Sequence, residues 1–194
     1  MKTLLLDSSN RMLSVGYAKD NVLIDSISYE AWQRQSEVMI PEIDRIMNRN
    51  NLSRKNLDEV VVSIGPGSYT GVRIALTIAK TIAVALSIKV YAISSLEAQK
   101  ISKSPTICLI NARSGRSYIG VYFNDKILLS DQVMENSRVL EYIKDHPKYA
   151  VSGDASYLGI EWIQTSVLNG MLISKNESKL VANPLALKPV YLKD

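Results

Sequence analysis

The stretch from Val60 to Leu86, VVVSIGPGSYTGVRIALTIAKTIAVAL, constrains the fold of this chain more than any other segment. It begins as a run of β-branched apolar residues, passes through a loop with three glycines and a proline, and continues as a long apolar segment. We predict a buried strand within 57–65, a sharp loop, and a helix from about Thr70 to Leu86. A strand that leads directly into a helix is the repeating unit of α/β folds, so this segment predicts an α/β protein.

The segments on either side of this unit show strand and helix patterns in turn. Three short apolar runs with tight connections predict a β-meander, and the first lacks alternation, which indicates a central strand. The residue period changes at Ser36, a predicted helix cap, and Pro41 lies about one turn later, so the helix starts late or kinks there. The predicted elements are strands 3–9, 12–19, 22–29 and 88–94, a helix from 36 and a short helix from 95.

The second half of the chain starts the same pattern again and ends it early. A strand at 106–113 is followed by a hairpin at 116–130 around Asn124-Asp125, a helix at 139–145 and a strand at 149–154. The tail from Ser156 shows no clear pattern. We therefore predict two related halves, the second degenerate, with a division into 1–103 and 104–194 and no flexible linker between them.

Residue counts exclude several kinds of chemistry. Cys108 is the only cysteine and His146 the only histidine, so neither an intramolecular disulfide nor a zinc site of the usual Cys/His composition can form. A Ser-His-Asp or Cys-His nucleophile system would have to use His146, which lies in the charged stretch KDHPKY and is predicted to be in a solvated turn.

Charge and hydropathy indicate an ordinary globular chain. The net charge is +4, but the basic residues are scattered, which permits contact with RNA without arguing for it. No apolar run is predicted to reach the length of a membrane span, and the N-terminus MKTLLLDSSN reaches an acid within seven residues, too soon for a signal peptide. We expect a cytoplasmic protein with no membrane partner.

The predicted helix from Thr70 is apolar nearly all round. A helix that lies on one sheet needs an apolar arc of only about 100°, so the rest of its surface must be covered by something else. Ala75, Ala79 and Ala83, at four-residue spacing, would allow another backbone to come close. Burial inside this chain and an oligomer interface shared with the helix from 36 remain open as explanations.

The glycine loop itself matches neither of the two phosphate-binding signatures. The P-loop requires a Lys-Ser/Thr pair that does not follow Gly65 or Gly67, and Gly65, Gly67 and Gly71 give GxGxxxG in place of the dinucleotide pattern GxGxxG. A generic anion-binding nest at the helix N-terminus remains open. A sharp strand-to-helix turn, with Pro66 restricting φ, is the favoured interpretation.

Several of these segments together resemble the TsaB (YeaZ) family. GPGSYTGVRIALTIAKTIA resembles that family's GPGSFTGLRIG…AKGLA signature, and the resemblance extends over nearly the whole chain. Gln35 stands in place of the usual histidine of the H-S-E-x-L-L-P segment, Asn111 in place of the D-A-R aspartate, and Lys193 in place of the arginine that closes the P-x-Y-L-R end. LLLDSS and SSLEA resemble the opening strand and a second family segment.

The resemblance implies an ASKHA fold, the actin/Hsp70/sugar-kinase architecture related to ribonuclease H, with two β3αβαβα-type halves. It implies a non-catalytic scaffold in the formation of N6-threonylcarbamoyladenosine at position 37 of tRNAs that read ANN codons. The implied partners are the transferase TsaD, in a heterodimer, and the ATPase TsaE, with a homodimer when alone and tRNA contacted only in the complex. Family members pair through their first two helices. The implied partner interface is Met39, Ile40, Ile43, Met47, Ile74, Ala75, Ile78, Ala79, Ile82 and Ala83, and the signature loop is Gly65, Pro66, Gly67, Ser68, Tyr69, Thr70, Gly71 and Arg73.

The resemblance also implies a division of labour between subunits. TsaD holds its metal with an HxxxH pair on the first helix, and this chain has no histidine there, so we expect no catalysis, no metal and no cofactor of its own. ATP or ADP is expected only at the junction with TsaD. Asp7 and Ser8 resemble a degenerate phosphate-1 turn and are predicted as a vestigial nucleotide site. The alternative is an autonomous ASKHA-fold ATPase or glycoprotease-like hydrolase that relies on Asp7, Glu37 and the glycine loop.

Overall fold

The first five strands form one mixed sheet in the computed structural model, which describes residues 1–192. Its strand order is β3-β2-β1-β4-β5, with β1 antiparallel to β2 and parallel to β4. Leu4, Leu5 and Leu6 of β1 are buried, because the strand is central and both faces of the sheet are covered, as the lack of alternation predicted. The strands are β1 Lys2–Asp7, β2 Met12–Lys19, β3 Val22–Glu30, β4 Glu59–Ser63 and β5 Lys89–Ile93.

Two long helices, α1 (Gln35–Arg49) and α2 (Tyr69–Leu86), pack against this sheet and against each other. Both agree with the predicted helices. Helix α2 has the glycine loop at its N-terminus and ends at Ser87, which adopts a left-handed conformation.

The start of α1 differs from the prediction. Arg34 precedes the helix, so the predicted capping role of Ser36 is wrong, and Pro41 lies inside the helix, which therefore does not start late. A tertiary contact holds the first turn: Gln35 is buried, and its Nε2 donates a hydrogen bond to the carbonyl of Asn10 at 3.1 Å.

A second, four-stranded sheet repeats the topology of the first. Its order is β8-β7-β6-β9, which corresponds to β3-β2-β1-β4, and β6 is antiparallel to β7 and parallel to β9. Helix α3 (Asn136–Asp145) lies between β8 and β9 in the chain, as α1 lies between β3 and β4. The prediction of two related halves with a shortened second half is therefore confirmed. The strands are β6 Thr106–Arg113, β7 Arg116–Phe123, β8 Lys126–Glu135 and β9 Ala150–Gly153.

The chain after β9 returns to the first sheet. Helix α4 (Val167–Ser174) buries Leu168 and Met171 in a cluster with Leu5 and Val61 of that sheet. A Cβ on Gly170 would lie 1.7 Å from the carbonyl oxygen of Ala98, so α4 approaches the backbone too closely for any side chain at this position. The sheets separate between β5 and β6, near the predicted boundary at residue 103, and the two-domain division stays a prediction.

The segment 94–100, SSLEAQK, joins the two halves. Lys100 is buried and donates from Nζ to the carbonyl of Asn124 in the β7–β8 turn at 2.9 Å. Ser152 of β9 donates from Oγ to the carbonyl of Gln99 at 2.7 Å. Glu97–Gln99 form a single 3-10 turn, shorter than the α-helical segment that the sequence suggested.

Helix α2 also meets the length and composition of a membrane span. At 18 residues it is long and apolar enough to cross a membrane, which corrects the expectation that no apolar run of the chain reaches that length. One third of these residues are buried. The helix is packed against the sheet, with Arg73 and Lys80 on its surface, and the core helix of a globular domain passes the same test. This observation is therefore weak evidence for a membrane location.

Candidate functional site

The glycine loop between β4 and α2 is shaped by its contact with the end of β1. A Cβ on Gly67 would lie 2.1 Å from the carbonyl oxygen of Ser9, and one on Gly71 would lie 1.9 Å from that of Ser8. Gly65 adopts a φ of +101°, a conformation that L-residues rarely adopt. Glycine is thus required at 67 and 71 because the backbone of the loop touches the backbone that follows β1, as expected for a tightly packed turn.

The hydrogen-bonding groups of the loop are largely used within the chain. The amide of Ser68 donates to the carbonyl of Ser9 at 2.7 Å, and the hydroxyl of Ser8 donates to the carbonyl of Gly71 at 2.7 Å. The hydroxyl of Ser68 caps α2 by accepting from the amide of Gly71 at 3.2 Å. This arrangement agrees with the turn interpretation, and in the part of the chain that the structure describes the amides of Gly67, Tyr69 and Thr70 form no hydrogen bond.

Two signature residues, Tyr69 and Arg73, hold the C-terminal tail. The rings of Tyr69 and Tyr191 are stacked with centroids 4.8 Å apart, and the guanidinium of Arg73 lies 3.9 Å from the centroid of Tyr69. Arg73 also donates from Nε to the hydroxyl of Tyr191 at 2.7 Å. One signal for this contact was present in the sequence, because the signature loop and the terminal Pro-x-Tyr occur in the same family pattern.

The rest of the tail follows α2 back to the loop. Lys80 donates from Nζ to the carbonyl of Leu187 at 3.0 Å, and the amide of Val190 donates to the carbonyl of Ile64 at 2.7 Å. A Cβ on Gly65 would lie 2.5 Å from the carbonyl oxygen of Val190, so the tail also explains this glycine. Lys193, which takes the place of the family arginine, lies outside the described residues.

The predicted vestigial nucleotide residues are buried in the first half. Asp7 is 2% exposed and accepts hydrogen bonds from the Ser63 hydroxyl and the Ser9 amide, while Ser8 is fully buried. Burial raises the pKa of Asp7 above its ordinary value, and the hydrogen bonds from Ser63 and Ser9 oppose that shift. Neither Asp7 nor Ser8 lines the cleft between the halves, so the structure does not bring them to a ligand site.

Six of the ten predicted interface residues face the core of this chain. Their side chains are at most 4% exposed, so they support the position of α1 and α2, and of the six Ile43 and Met47 also line the surface groove between the two helices. The small residues of α2 allow close packing on the chain's own sheet, which is the physical reason for this placement. Ile40, Ile74, Ile78 and Ile82 retain exposed surface. The six buried residues are Met39, Ile43, Met47, Ala75, Ala79 and Ala83.

An apolar surface groove of about 330 Å³ runs between α1 and α2. It is lined mostly by aliphatic side chains, including Ile40, Ile82 and Leu86. Ile40 is 46% exposed, and Val84, which is 50% exposed, lines an adjoining apolar pocket that shares Ala85 with the groove. Val84 and Ala85 are accessible residues that the sequence reasoning missed, because an almost wholly apolar helix does not reveal which side faces inward.

A larger, mostly polar cleft of about 740 Å³ lies between the two halves. The loop residues Ser68 and Thr70 line one side, and Asn111 and Arg113 from the end of β6 line the other. At the cleft, the guanidinium groups of Arg11 and Arg113 lie 5.8 and 5.4 Å from the ring centroid of Trp32. We call Arg11, Trp32 and Arg113 the Arg-Trp cluster.

Comparison with known proteins identifies the family. A family model described as "TsaD: tRNA N6-adenosine threonylcarbamoyltransferase" matches residues 29–180. The tRNA threonylcarbamoyladenosine biosynthesis protein TsaB of Bacillus subtilis is 34% identical over 168 residues, which cover 80% of this chain and 72% of that protein. The chain belongs to the TsaB (YeaZ) family. The TsaB protein of Buchnera aphidicola from Schizaphis graminum is 28% identical over 152 residues, covering 75% of this chain and 72% of that relative.

A solved TsaB-family structure has the same fold. YeaZ from Pseudomonas aeruginosa superposes with a TM-score of 0.81 over 98% of this chain and 99% of its own, at 20% identity. At that identity the likeness shows the fold alone. Together with the two sheets of matching strand order, it confirms the predicted ASKHA-type, ribonuclease H-like architecture.

The alternative of an autonomous enzyme relies on two carboxylates, and the second of them, Glu37, lies on the surface of this TsaB-family chain. Glu37 is exposed in the first turn of α1 and pairs with Arg34 at 3.2 Å. Within residues 1–192, no group of three or more His, Cys, Asp or Glu side chains is arranged to hold a metal ion. Asp7 and Glu37 therefore belong to different environments, one buried in the core and one solvated.

Proposed function

We propose that this chain is a non-catalytic scaffold subunit that binds and activates the transferase TsaD. The reaction it supports is formation of N6-threonylcarbamoyladenosine at position 37 of tRNAs that read ANN codons. The names of its relatives, which are tRNA threonylcarbamoyladenosine biosynthesis proteins, support the pathway. The ATPase TsaE is the second proposed partner.

The exposed apolar surface of α1 and α2 is the observation that carries this proposal. Ala75 and Ala79 already fill the inner side of α2, yet Ile40 in the apolar groove and Val84 in the adjoining pocket still present aliphatic surface to solvent. Exposed apolar surface beside a groove is typical of protein–protein contacts. We infer that TsaD covers this surface in the complex, and that a second copy covers it when the chain is alone.

The placement of the carboxylates supports a non-catalytic role. Asp7 is hydrogen-bonded inside the core and Glu37 is paired with Arg34 at the surface, so they do not converge on one substrate position. General acid-base chemistry requires such groups within hydrogen-bonding reach of a common substrate. No observation favours the alternative of an autonomous ATPase or glycoprotease-like hydrolase.

Three further elements belong to the same proposal. ATP or ADP binds at the junction with TsaD and not to this chain alone. The tRNA is bound by the assembled complex. The protein works in the cytoplasm, where its tRNA substrate is found.

The proposal is tested by reconstitution of the tRNA modification from TsaD, TsaE, ATP and the threonylcarbamoyl donor, with and without this chain. We expect product only when the chain is present, and equal product in both reactions would refute the scaffold role. Copurification with TsaD then tests the surface. Val84→Glu should abolish copurification, because a carboxylate on the apolar surface would be desolvated without a partner.

A matched control variant separates the interface from general effects of charge. Ile24→Glu places the same carboxylate on the edge strand β3, where the side chain is 52% exposed, and it should leave copurification unchanged. Ala79→Glu is unsuitable for this purpose, because Ala79 is fully buried and the variant would unfold the core. Copurification that Val84→Glu and Ile24→Glu leave equally intact would contradict the proposed surface.

A further inference from the structure

The Arg-Trp cluster occupies the mouth of the cleft between the halves. Arg11 comes from the β1–β2 turn and Arg113 from the end of β6, next to the β6–β7 turn, so the corresponding hairpins of the two related halves each supply one cation. Both guanidinium groups lie within 6 Å of the Trp32 ring, the range of cation–π attraction. Both arginines are exposed and Trp32 is half-buried, so all three side chains can reach a ligand.

The charge of this region is positive, with one acidic residue facing the cleft. Arg11 forms an ion pair with Glu30, with Nε and Oε1 3.4 Å apart, and both side chains are mostly exposed. Within residues 1–192, Arg113 forms no ion pair, and Asp154 is the acidic side chain that lines the cleft. A solvated guanidinium beside an aromatic ring can bind a nucleotide, because the guanidinium binds the phosphate and the aromatic ring stacks on the planar base.

The floor of the cleft is poorly suited to a triphosphate. A triphosphate cradle combines free amides at a helix N-terminus with a lysine that reaches the β- and γ-phosphates. Here the Ser68 amide is bonded to Ser9 and the Ser68 hydroxyl caps the helix, and among the described residues that line the cleft none is a lysine. The groups at the mouth that can recognise a ligand are the two arginines and the tryptophan, by stacking and by contact with phosphodiesters.

We propose that the Arg-Trp cluster binds one unpaired nucleotide of a single-stranded RNA loop, with the base stacked on Trp32 or a guanidinium and the adjoining phosphates held by Arg11 and Arg113. Stacking on aromatic and guanidinium planes is how proteins recognise unpaired RNA bases. This inference rests on the proposed function, because the tRNA would supply the loop. It assigns to this chain a direct contact with the RNA substrate.

Intrinsic fluorescence tests the contact, because the chain has two tryptophans. In a Trp162→Phe background, Trp32 is the reporter, and an RNA stem-loop with the anticodon-loop sequence is the probe. We expect saturable quenching, with an affinity that falls with salt at a logarithmic slope of about 1.4 for two single-strand phosphate contacts. Absence of quenching, or equal quenching by a blunt RNA duplex, would overturn the proposal.

Charge-matched variants locate the contact. Arg113→Gln should weaken stem-loop binding about fivefold or more and reduce the salt slope by about 0.7. Arg138→Gln removes the same charge from α3, outside the cleft, and should leave both values unchanged. Equal effects of the two variants would show binding by bulk charge and would refute the site. Quenching by ATP at the same concentrations as the RNA would also refute it, because the ligand would then be a free nucleotide.

Reconstitution separates this inference from the scaffold proposal. In the modification reaction, Arg113→Gln should raise the KM for tRNA and leave kcat unchanged. If the reaction requires this chain but neither KM nor fluorescence responds to Arg113→Gln, the RNA contact is wrong and the scaffold role stands. If the stem-loop binds the cluster but the reaction proceeds without this chain, the scaffold role is wrong and the RNA contact stands.

Discussion

Gly71→Ala is the sharpest test of how the signature loop is built. Gly71 lies in the first turn of α2, and its backbone conformation is one that alanine adopts freely. In an unobstructed helix this substitution would stabilise the protein by about 1 kcal/mol, because alanine has the higher helix propensity. Here the new Cβ would lie 1.9 Å from the carbonyl oxygen of Ser8, so the sign should reverse.

The magnitude follows from what must move. An ordinary van der Waals contact requires 3.4 Å or more, so the end of β1 and the start of α2 must separate by more than 1 Å. That movement strains the hydrogen bonds from Ser8 to Gly71 and from Ser68 to Ser9, each of which contributes about 1 kcal/mol. Overpacking costs about 1–3 kcal/mol and the two strained hydrogen bonds about 2 kcal/mol, so after the propensity gain of about 1 kcal/mol we expect a net loss of about 2–4 kcal/mol.

Thermal and urea unfolding followed by circular dichroism would measure this loss. For a chain of this size, about 2–4 kcal/mol corresponds to a decrease in Tm of roughly 4–16 °C. Thr77→Ala, at an exposed position of the same helix, is the control and should change the unfolding free energy by no more than about 0.5 kcal/mol. If Gly71→Ala raises the Tm, the close approach of the two backbones is refuted.

Three more predictions concern the tail, the buried acid and the cysteine. Tyr191→Ala should accelerate proteolysis of the C-terminal tail and lower the free energy of unfolding by about 1 kcal/mol, because it removes the stack on Tyr69 and the hydrogen bond from Arg73. The control Leu185→Ala, at a side chain that is 67% exposed, should change neither the proteolysis rate nor the free energy of unfolding. Asp7→Asn should be at least as stable as the wild type at pH 7. The pKa of Asp7 is raised in the folded state, so its carboxyl stabilises the fold below the ordinary pKa of 3.8. That contribution is lost as the pH rises through the pKa of the folded state. The advantage of Asp7→Asn in urea unfolding should therefore shrink toward pH 4, and a less stable variant at pH 7 would contradict this. Burial raises the pKa of Cys108 to about 12, so iodoacetamide at pH 8 should label the thiol only after unfolding, and rapid labelling of the native protein would refute its burial.

The order of the elements as far as β9 and the presence of two related halves could be predicted from the sequence, whereas α4 could not. Residue periods near two and near 3.6 are local properties, so the β-meander, α1, α2 and the hairpin could be predicted from them. The loop between β4 and α2 was equally clear, because glycines at 65, 67 and 71 mark backbone positions that other residues cannot occupy. The family resemblance rested on the same residues.

Which surfaces are accessible depends on tertiary packing. The alanines of α2 suggested a close approach by a partner, but Ala79 packs on the chain's own sheet and Val84 faces out. An almost uniformly apolar helix carries no polar face to orient it, so packing alone chooses its inner side. The contacts of Tyr191 with Arg73 and of Arg113 with Trp32 join residues far apart in the chain, and no local pattern specifies such pairs.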